Sequence, residues 1–224
     1  MVQTIPVSPL ALPLPELGVV RGVRLAAGAA GIRYAGRTDL VLIEFASGTT
    51  VAGVFTRNKC PGAPVDWCRS VLQGGIARAL VVNAGNANVF TGRAGYEACR
   101  RTAEGAANLI GCHLEEVFLA STGVIGEVLP VQRITDTLPS LSNALKETNW
   151  ADAARGIMTT DTFPKAAMRT AHIGFAVKGS QFPYWILKDS AYFFLLAFTS
   201  SKEGSTMVGR LSSSSVVRYT VPSM

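Results

Sequence analysis

The sequence predicts a mixture of strands and helices, of the α/β or α+β class, from two observations. Short apolar runs typical of buried strands alternate with segments of helical apolar spacing up to about residue 180. The 224 residues are 48% hydrophobic and only 16% charged, so the chain can bury a substantial core and is not disordered along its whole length.

Apolar runs bounded by turn formers predict the strands, which are residues 38–45, 51–56, 77–82, 117–120 and 171–177. Gly48, between the first two of these runs, predicts a hairpin. Helical spacing predicts the helices, which are residues 94–110, 129–145 and 150–158. Gly111 is suited to end the first helix. Residues 1–17 are predicted to form a Pro-rich extended lead, and the segment around Pro61 and Pro64 to form a loop.

Positive charge is spread along the chain rather than concentrated in one segment. The formal net charge is +6 and the pI is about 9.4, but both halves of the chain carry similar numbers of Lys and Arg, and only Arg100 and Arg101 are adjacent. A nucleic-acid backbone requires clustered cations, commonly interleaved with aromatic residues. Nucleic acid is therefore not predicted as a partner.

The cysteines and histidines show no spacing typical of a metal site. The cysteines are Cys60, Cys68, Cys99 and Cys112, with no CxxC motif and no paired Cys/His spacing. We expect no structural metal, and reduced, buried thiols in a cytoplasmic protein are the simplest interpretation. Residues 1–14 combine prolines with a lack of positive charge, so a signal peptide is not expected. No apolar window reaches 18 residues, so a membrane span is not expected either.

Three polar segments stand at predicted strand or helix ends and are candidates for chemistry. Residues 83–88 (NAGNAN) can present several amide donors, although a structural turn is the simpler interpretation. Residues 121–126 (STGVIG) follow a buried strand, where a glycine N–H and a threonine hydroxyl suit an oxyanion hole, although a plain turn is the simpler interpretation. Residues 159–165 (TTDTFPK) group three hydroxyls around a carboxylate, which suits either a polar ligand or a helix N-cap and turn.

In their order and separations, six segments resemble the ornithine acetyltransferase family, the bifunctional glutamate N-acetyltransferase and amino-acid N-acetyltransferase of arginine biosynthesis. The segments are GIRYAGRTDL, AGVFTRNKCPGAPV, ARALVVNAGNANVFTG, VFLASTGVIGEVLP, MTTDTFPK and AVKGS. The resemblance implies a layered α/β sandwich, incomplete in this chain. It also implies an enzyme that transfers acetyl from N-acetylornithine to glutamate and uses no cofactor, with acetyl-CoA as a further acetyl donor in some members.

The resemblance also implies roles for four residues. Thr122 and Gly123 fall on the oxyanion-hole positions of the family, where they would stabilise the tetrahedral intermediate. We expect the Gly123 N–H to be free of any backbone partner. Thr159 and Lys178 fall on substrate-binding positions and are expected to meet at one cavity. Lys178 suits an α-carboxylate there, although taken alone it is more simply explained as a solvated charge at a strand end.

Family members are made as one precursor that cuts itself at an Ala-Thr bond. The new N-terminal threonine is the nucleophile, and its own free amine is the adjacent base. Two copies of each resulting chain usually assemble into a heterotetramer. The sequence departs from this pattern after Ser180, because residues 181–224 contain no Ala-Thr pair and are rich in aromatic residues and serine. By the resemblance, we expect the 224 residues to lack the second chain of the family as well.

The sequence thus divides into a lead (1–17), a family-like region (18–180) and an unrelated tail (181–224). The tail lacks strand alternation and is expected to be poorly anchored. The chain alone is expected to be inactive, and a non-catalytic scaffold or binding remnant is the alternative that the missing nucleophile favours. A related N-terminal-nucleophile aminopeptidase is a further alternative, although TTDTFPK and NAGNAN fit the acetyltransferases better.

Overall fold

The computed structural model describes residues 7, 9, 11 and 13–166, and the backbone of short strands further along the chain. The strands are β1 (Val23–Gly28), β2 (Leu40–Phe45), β3 (Thr50–Val54), β4 (Ala79–Asn86), β5 (Val117–Val124), β6 (Thr170–Ala171), β7 (Phe182–Leu187), β8 (Phe194–Thr199), β9 (Met207–Leu211) and β10 (Ser215–Tyr219). The α-helices are α1 (Ala63–Val71), α2 (Gly92–Ile110), α3 (Val131–Asn143) and α4 (Trp150–Gly156). Short 3-10 helices lie at Leu72–Gly74 and Leu114–Glu116.

A mixed sheet in the order β1-β2-β4-β5 is the framework of the described region. β2 pairs antiparallel with both β1 and β4, whereas β4 and β5 run parallel. Parallel neighbours need a crossover connection, and α2 provides it between these two strands. The carboxyl ends of β4 and β5 therefore lie at the same end of the sheet, beside the loop that joins β1 to β2.

Helices cover both faces of this sheet. A Cβ built on Gly156 of α4 would meet the side chains of Val41 and Ala27, whereas one built on Gly28 would meet Leu141 of α3. Successive residues of a strand point to opposite faces, so α3 and α4 lie on opposite sides of the β1–β2 pair. β2 is accordingly buried along nearly its whole length, and its sequence is a continuous apolar run rather than an alternating one.

Helix α1 covers the amino-terminal half of the edge strand β5. The indole Nε1 of Trp67 donates to the Val117 carbonyl at 2.9 Å. The Cys68 thiol donates to the Leu119 carbonyl at 3.1 Å, and its sulfur lies 3.2 Å from the Leu119 N–H as an acceptor. These bonds satisfy backbone groups that an edge strand otherwise leaves unpaired.

Most of the predicted elements in the first 166 residues are confirmed. β2, β4, α2, α3 and α4 overlap predicted segments, and Gly111 ends α2 in the left-handed conformation with φ 69°. β5 is longer than predicted, because it continues through the polar STG segment to Val124. α1 occupies the predicted Pro loop: Pro64 lies in its first turn, where a missing N–H breaks no helical hydrogen bond.

The predicted hairpin between residues 38–45 and 51–56 is wrong. Gly48 does make a turn, with φ 78°, but β2 is already paired on both edges, with β1 and with β4. β3 therefore joins a second sheet, in the order β3-β8-β7-β6, and pairs antiparallel with β8. A turn residue between two apolar runs thus indicates a change of direction but not the pairing of the runs.

The predicted tail contributes the strands β7 to β10, of which β9 and β10 form an antiparallel pair. Residues 194–199 form a strand although their sequence does not alternate. Of the predicted strand 171–177, only Ala171 is described, at the end of β6. Lys178 lies outside the described residues. No helix in the described residues combines the length and apolar character needed to cross a bilayer.

Candidate functional site

The polar segments NAGNAN and STGVIG meet at the carboxyl ends of β4 and β5. The parallel register pairs Asn83 with Ser121 and Gly85 with Gly123, so the first four residues of NAGNAN are strand rather than the predicted turn. Sequence order alone separates these residues by 38 positions, and only the parallel pairing brings them side by side. Thr122 and Gly123 are therefore adjacent near the end of a strand, as expected.

Two glycines allow the strands to approach each other closely at this point. Gly123 has φ 135° and Gly85 has φ 98°, both in the region that side chains rarely adopt. A Cβ on Gly123 would lie 2.3 Å from the Gly85 carbonyl carbon and 2.5 Å from the Asn86 nitrogen. Gly123 thus packs backbone against backbone, and no larger residue fits without moving one of the strands.

The alternation of the ladder sets the direction of the Gly123 N–H. The Val124 carbonyl accepts the Ala87 N–H at 2.9 Å, which places Val124 among the residues of β5 that bond to β4. Leu119 bonds instead to Cys68, on the outer side of the strand. Gly123 lies four residues after Leu119, and alternate residues of a strand direct their N–H groups to the same side. The Gly123 N–H is therefore directed to the outer side, away from β4.

The neighbouring Thr122 side chain is half-buried. Its hydroxyl makes no hydrogen bond within residues 13–166. The outward N–H of Gly123 and the neighbouring Thr122 hydroxyl are the two kinds of donor that an oxyanion hole requires.

The three asparagines of NAGNAN are buried, and their side-chain amides bond within the protein. Asn88 is fully buried with φ 50°, and its Nδ2 donates to the Gly95 carbonyl at 2.9 Å. The Asn88 Oδ1 accepts the Thr91 hydroxyl at 2.7 Å, which holds the turn into α2. Nδ2 of Asn83 donates to the Asn86 carbonyl, and Nδ2 of Asn86 donates to the Glu127 carbonyl. The structural interpretation of this segment fits these bonds, because its amides are already occupied.

Residues 29–39, the loop between β1 and β2, border the same end of the sheet. The buried carboxylate of Asp39 organises the loop, since it accepts the N–H groups of Ala30 at 2.7 Å and Ile32 at 2.6 Å. Arg33 then pairs with Glu127, just after the STGVIG segment, at 2.6 Å. Sequence reasoning assigns no role to this loop, although Asp39 and the glycines of GIRYAGRTDL are the signal that a fixed loop stands here.

The same loop also contacts the TTDTFPK segment. Nη2 of Arg37 donates to the carbonyls of Met158 at 2.7 Å and Thr159 at 2.8 Å. Thr159 is half-buried. Because Arg37 binds its carbonyl, the Thr159 backbone is attached to the same loop that contacts Glu127, next to the STGVIG segment, through Arg33. Asp161 pairs with Lys165 and is not free to bind a ligand without breaking that pair. The predicted meeting of Thr159 with Lys178 stays a prediction, because Lys178 is not described.

The buried thiols are unsuited to act as nucleophiles. Burial raises the pKa of Cys68 from its ordinary value of 9.0 to about 12, and burial likewise raises the pKa of Cys99 to about 12. Both therefore stay protonated near neutral pH, whereas a reactive cysteine must form a thiolate. Within the described part of the chain, no group of three or more His, Cys, Asp or Glu side chains is placed to hold a metal ion.

The sequence matches the ArgJ family over residues 24–181. The "Arginine biosynthesis bifunctional protein ArgJ" of Gluconobacter oxydans is 63% identical over 173 residues, which are 77% of this chain and 41% of that protein. The protein of the same name from Rhizobium meliloti is 56% identical over 169 residues, which are 75% of this chain and 41% of its own length. The chain thus spans about two fifths of the length of the curated relatives it matches.

Two solved structures share the fold. The ornithine acetyltransferase of Mycobacterium tuberculosis, solved as a complex with ornithine, matches with a TM-score of 0.60 and 33% identity over 67% of this chain and 80% of that chain. The ArgJ protein of Bacillus halodurans matches with a TM-score of 0.56 and 23% identity over 84% of this chain and 91% of that chain, and is a likeness of fold alone. With the family match spanning most of the residues that form the sheet and its polar end, the chain belongs to the ArgJ family.

Proposed function

We propose that this chain carries the oxyanion-binding part of an acetyltransferase that moves acetyl from N-acetylornithine to glutamate in arginine biosynthesis. The observation that carries the proposal is the outward N–H of Gly123 next to Thr122, whose hydroxyl bonds to no group in the described part of the chain. Donors fixed in this way stabilise the negative charge that develops on the carbonyl oxygen during acyl transfer. The names of the relatives and the ornithine complex of the Mycobacterium tuberculosis protein support this substrate class.

Thr159 is the substrate contact that we propose in the described region. It lies half-buried after α4, and Arg37 fixes its backbone carbonyl. Lys178 completes the proposal as the partner of a substrate carboxylate, through the charge of its ammonium group. Acetyl-CoA is proposed as an alternative acetyl donor, because an oxyanion site accepts the carbonyl of a thioester as well as that of an amide.

The partner that we propose is the second chain of the family heterotetramer, in the cytoplasm. Large apolar side chains are exposed on the loops around the site, and these are Tyr34, Phe90, Ile125 and Val128. Exposed apolar groups clustered at one end of a molecule are typical of a surface that another chain covers. The four cysteines are free, which supports a reducing compartment.

A non-catalytic scaffold is the second candidate, and one observation favours it. Residues 181–224 contain no Ala-Thr pair that could supply the threonine nucleophile. The aminopeptidase alternative is not proposed, because the chain belongs to the ArgJ family.

An acetyl-transfer assay from N-acetylornithine to glutamate tests the proposal, with intact mass recorded in parallel. The 224-residue chain alone should neither cleave itself nor transfer acetyl, because it lacks the nucleophile. A joined protein can be made of residues 1–180 followed by the part of the Gluconobacter oxydans protein beyond the matched segment. This joined protein should cleave itself and transfer acetyl from N-acetylornithine to glutamate. A joined protein that cleaves itself but transfers no acetyl would favour the scaffold, and turnover by the chain alone would contradict the assigned nucleophile.

A further inference from the structure

A chain of three side-chain hydrogen bonds brackets the Thr122–Gly123 pair. Before the pair, the Ser121 hydroxyl donates to Oδ1 of Asn83 at 2.6 Å. Nδ2 of Asn83 donates to the Asn86 carbonyl at 2.8 Å, and Nδ2 of Asn86 donates to the Glu127 carbonyl at 3.0 Å. The segment that contains the candidate donors is therefore attached to β4 on both sides, at residue 121 and at residue 127.

Both asparagines use a donor and an acceptor at once, and both are buried. Asn83 is 4% exposed and Asn86 is 3% exposed. The Asn86 Oδ1 accepts the Asn88 N–H at 2.7 Å while its Nδ2 reaches the Glu127 carbonyl. An aspartate of the same shape keeps the acceptor but has no hydrogen to donate. Amide side chains are thus required here by chemistry and not only by size.

Gly123 has no side chain through which the protein could fix its position. Its φ of 135° is one that side chains rarely adopt, and the Gly85–Asn86 peptide occupies the place of a Cβ. The direction of the Gly123 N–H consequently depends on how the residues before and after it are held. In an oxyanion site, a donor that is turned well away from the developing charge loses much of its stabilising effect.

We propose that Asn83 and Asn86 are positioning residues that fix the direction of the Gly123 N–H. Asn83 acts through Ser121 on one side, and Asn86 acts through the Glu127 carbonyl on the other. This inference rests on the proposed oxyanion role of Gly123 and adds the residues that orient the donor. Neither asparagine touches the substrate in this account.

The test uses the ¹⁵N-labelled 224-residue chain and reads the ¹H–¹⁵N residual dipolar coupling of Gly123, which depends on the direction of the N–H bond and needs no acetyl transfer. Asn86→Asp removes the donation to Glu127 and keeps the acceptor for Asn88. Ser121→Ala removes the donation to Asn83 without adding a charge, so it decides the matter if the first variant does not fold. Asn149→Asp is the matched control, because the Asn149 Nδ2 also donates to a backbone carbonyl, that of Leu25, at 3.0 Å.

We expect the Gly123 coupling to change in both site variants and to keep its value in the control. A purely stabilising role would lower the unfolding midpoint in all three variants without changing this coupling. A folded Asn86→Asp or Ser121→Ala chain with an unchanged Gly123 coupling overturns the inference. That outcome leaves the proposed function standing, whereas a failed acetyl-transfer assay leaves this result unaffected.

Discussion

Gly123 is the residue on which the end of β5 depends most, because its conformation and its surroundings both exclude a side chain. Its φ of 135° suits glycine alone, and the Gly85 peptide occupies the place of a Cβ. Gly126, three residues further on, also has a positive φ of 83°, but no atom lies within 4 Å of its Cβ position. Comparing Gly123 with Gly126 therefore separates the free-energy cost of a left-handed backbone from the cost of a steric clash.

Gly123→Ala should destabilise the fold by roughly 3 kcal/mol or more, since the strained conformation and the steric clash add. Gly126→Ala should cost only about 1–2 kcal/mol, the penalty of a left-handed conformation in open space. Urea unfolding of the two variants beside the parent chain measures both values. Equal losses of stability would show that the backbone contact between β4 and β5 is looser than described.

Cys68 and Cys99 should resist alkylation in the native chain at about pH 8, because burial holds their pKa values near 12. Exposed Cys60 should react first. Mass spectrometry after brief exposure to iodoacetamide, with peptides assigned, gives the order of reaction. Modification of Cys68 as fast as Cys60 would contradict the packing of α1 on β5.

The same two thiols make stability depend on alkaline pH, and the sign follows from their raised pKa values. In the unfolded chain the thiols ionise near their ordinary pKa of 9.0, whereas in the folded protein they stay protonated up to about 12. Their contribution to folding is complete below about pH 9 and is lost as the pH rises through this interval. Cys68→Ala should make the decline of the urea midpoint shallower over that range, and an unchanged slope would contradict the assignment.

At the scale of elements, the loop 29–39 fastens the segment after α4 to the sheet. Arg37 is the contact, since its Nη2 donates to two consecutive carbonyls, those of Met158 and Thr159. Hydrogen bonds from a charged donor contribute more than neutral ones. The position of Thr159 therefore depends on an arginine 122 residues earlier in the chain.

Arg37→Met should lower the unfolding free energy by about 2 kcal/mol, because two carbonyls lose a charged donor. Arg155→Met is the control: Arg155 pairs with Asp152 on the exposed face of α4, where an ion pair contributes about 0.5 kcal/mol or less. Denaturant unfolding monitored by circular dichroism compares the two. A loss in Arg37→Met no greater than that in Arg155→Met would show that the contact does not hold the segment.

The elements that could be predicted from sequence are those whose apolar pattern is strong and local. β2 and β4 are continuous apolar runs, and α2 has regular spacing and a terminal Gly111. The apolar pattern could not predict β1 or α1, because β1 is rich in small residues and α1 begins in a segment with two prolines. Strand pairing was beyond it too, since the partners of β2 and β3 are set by contacts distant in sequence.

At the scale of the whole molecule, the site could be predicted only through the resemblance of its motifs. Thr122 and Gly123 are an ordinary turn signal when taken alone, and their meaning comes from the parallel pairing of β5 with β4. The roles of Asp39 and Arg37 could not be predicted, because each binds backbone groups that no sequence pattern reveals. Family membership and fold, in contrast, follow from the order of the motifs and are matched by the relatives.

If Thr122 and Gly123 form an oxyanion site, Thr122→Val removes one of its two donors and should slow acetyl transfer. The protein measured is residues 1–180 joined to the remainder of the Gluconobacter oxydans relative, with N-acetylornithine and glutamate as substrates. Thr135→Val is the control, because the Thr135 hydroxyl donates to the Gln132 carbonyl within α3 and to no other group among the described residues. Loss of one oxyanion donor should lower kcat about 100- to 1000-fold and leave KM and the unfolding midpoint nearly unchanged. A Thr122→Val protein with a kcat within about twofold of the control would contradict the oxyanion role.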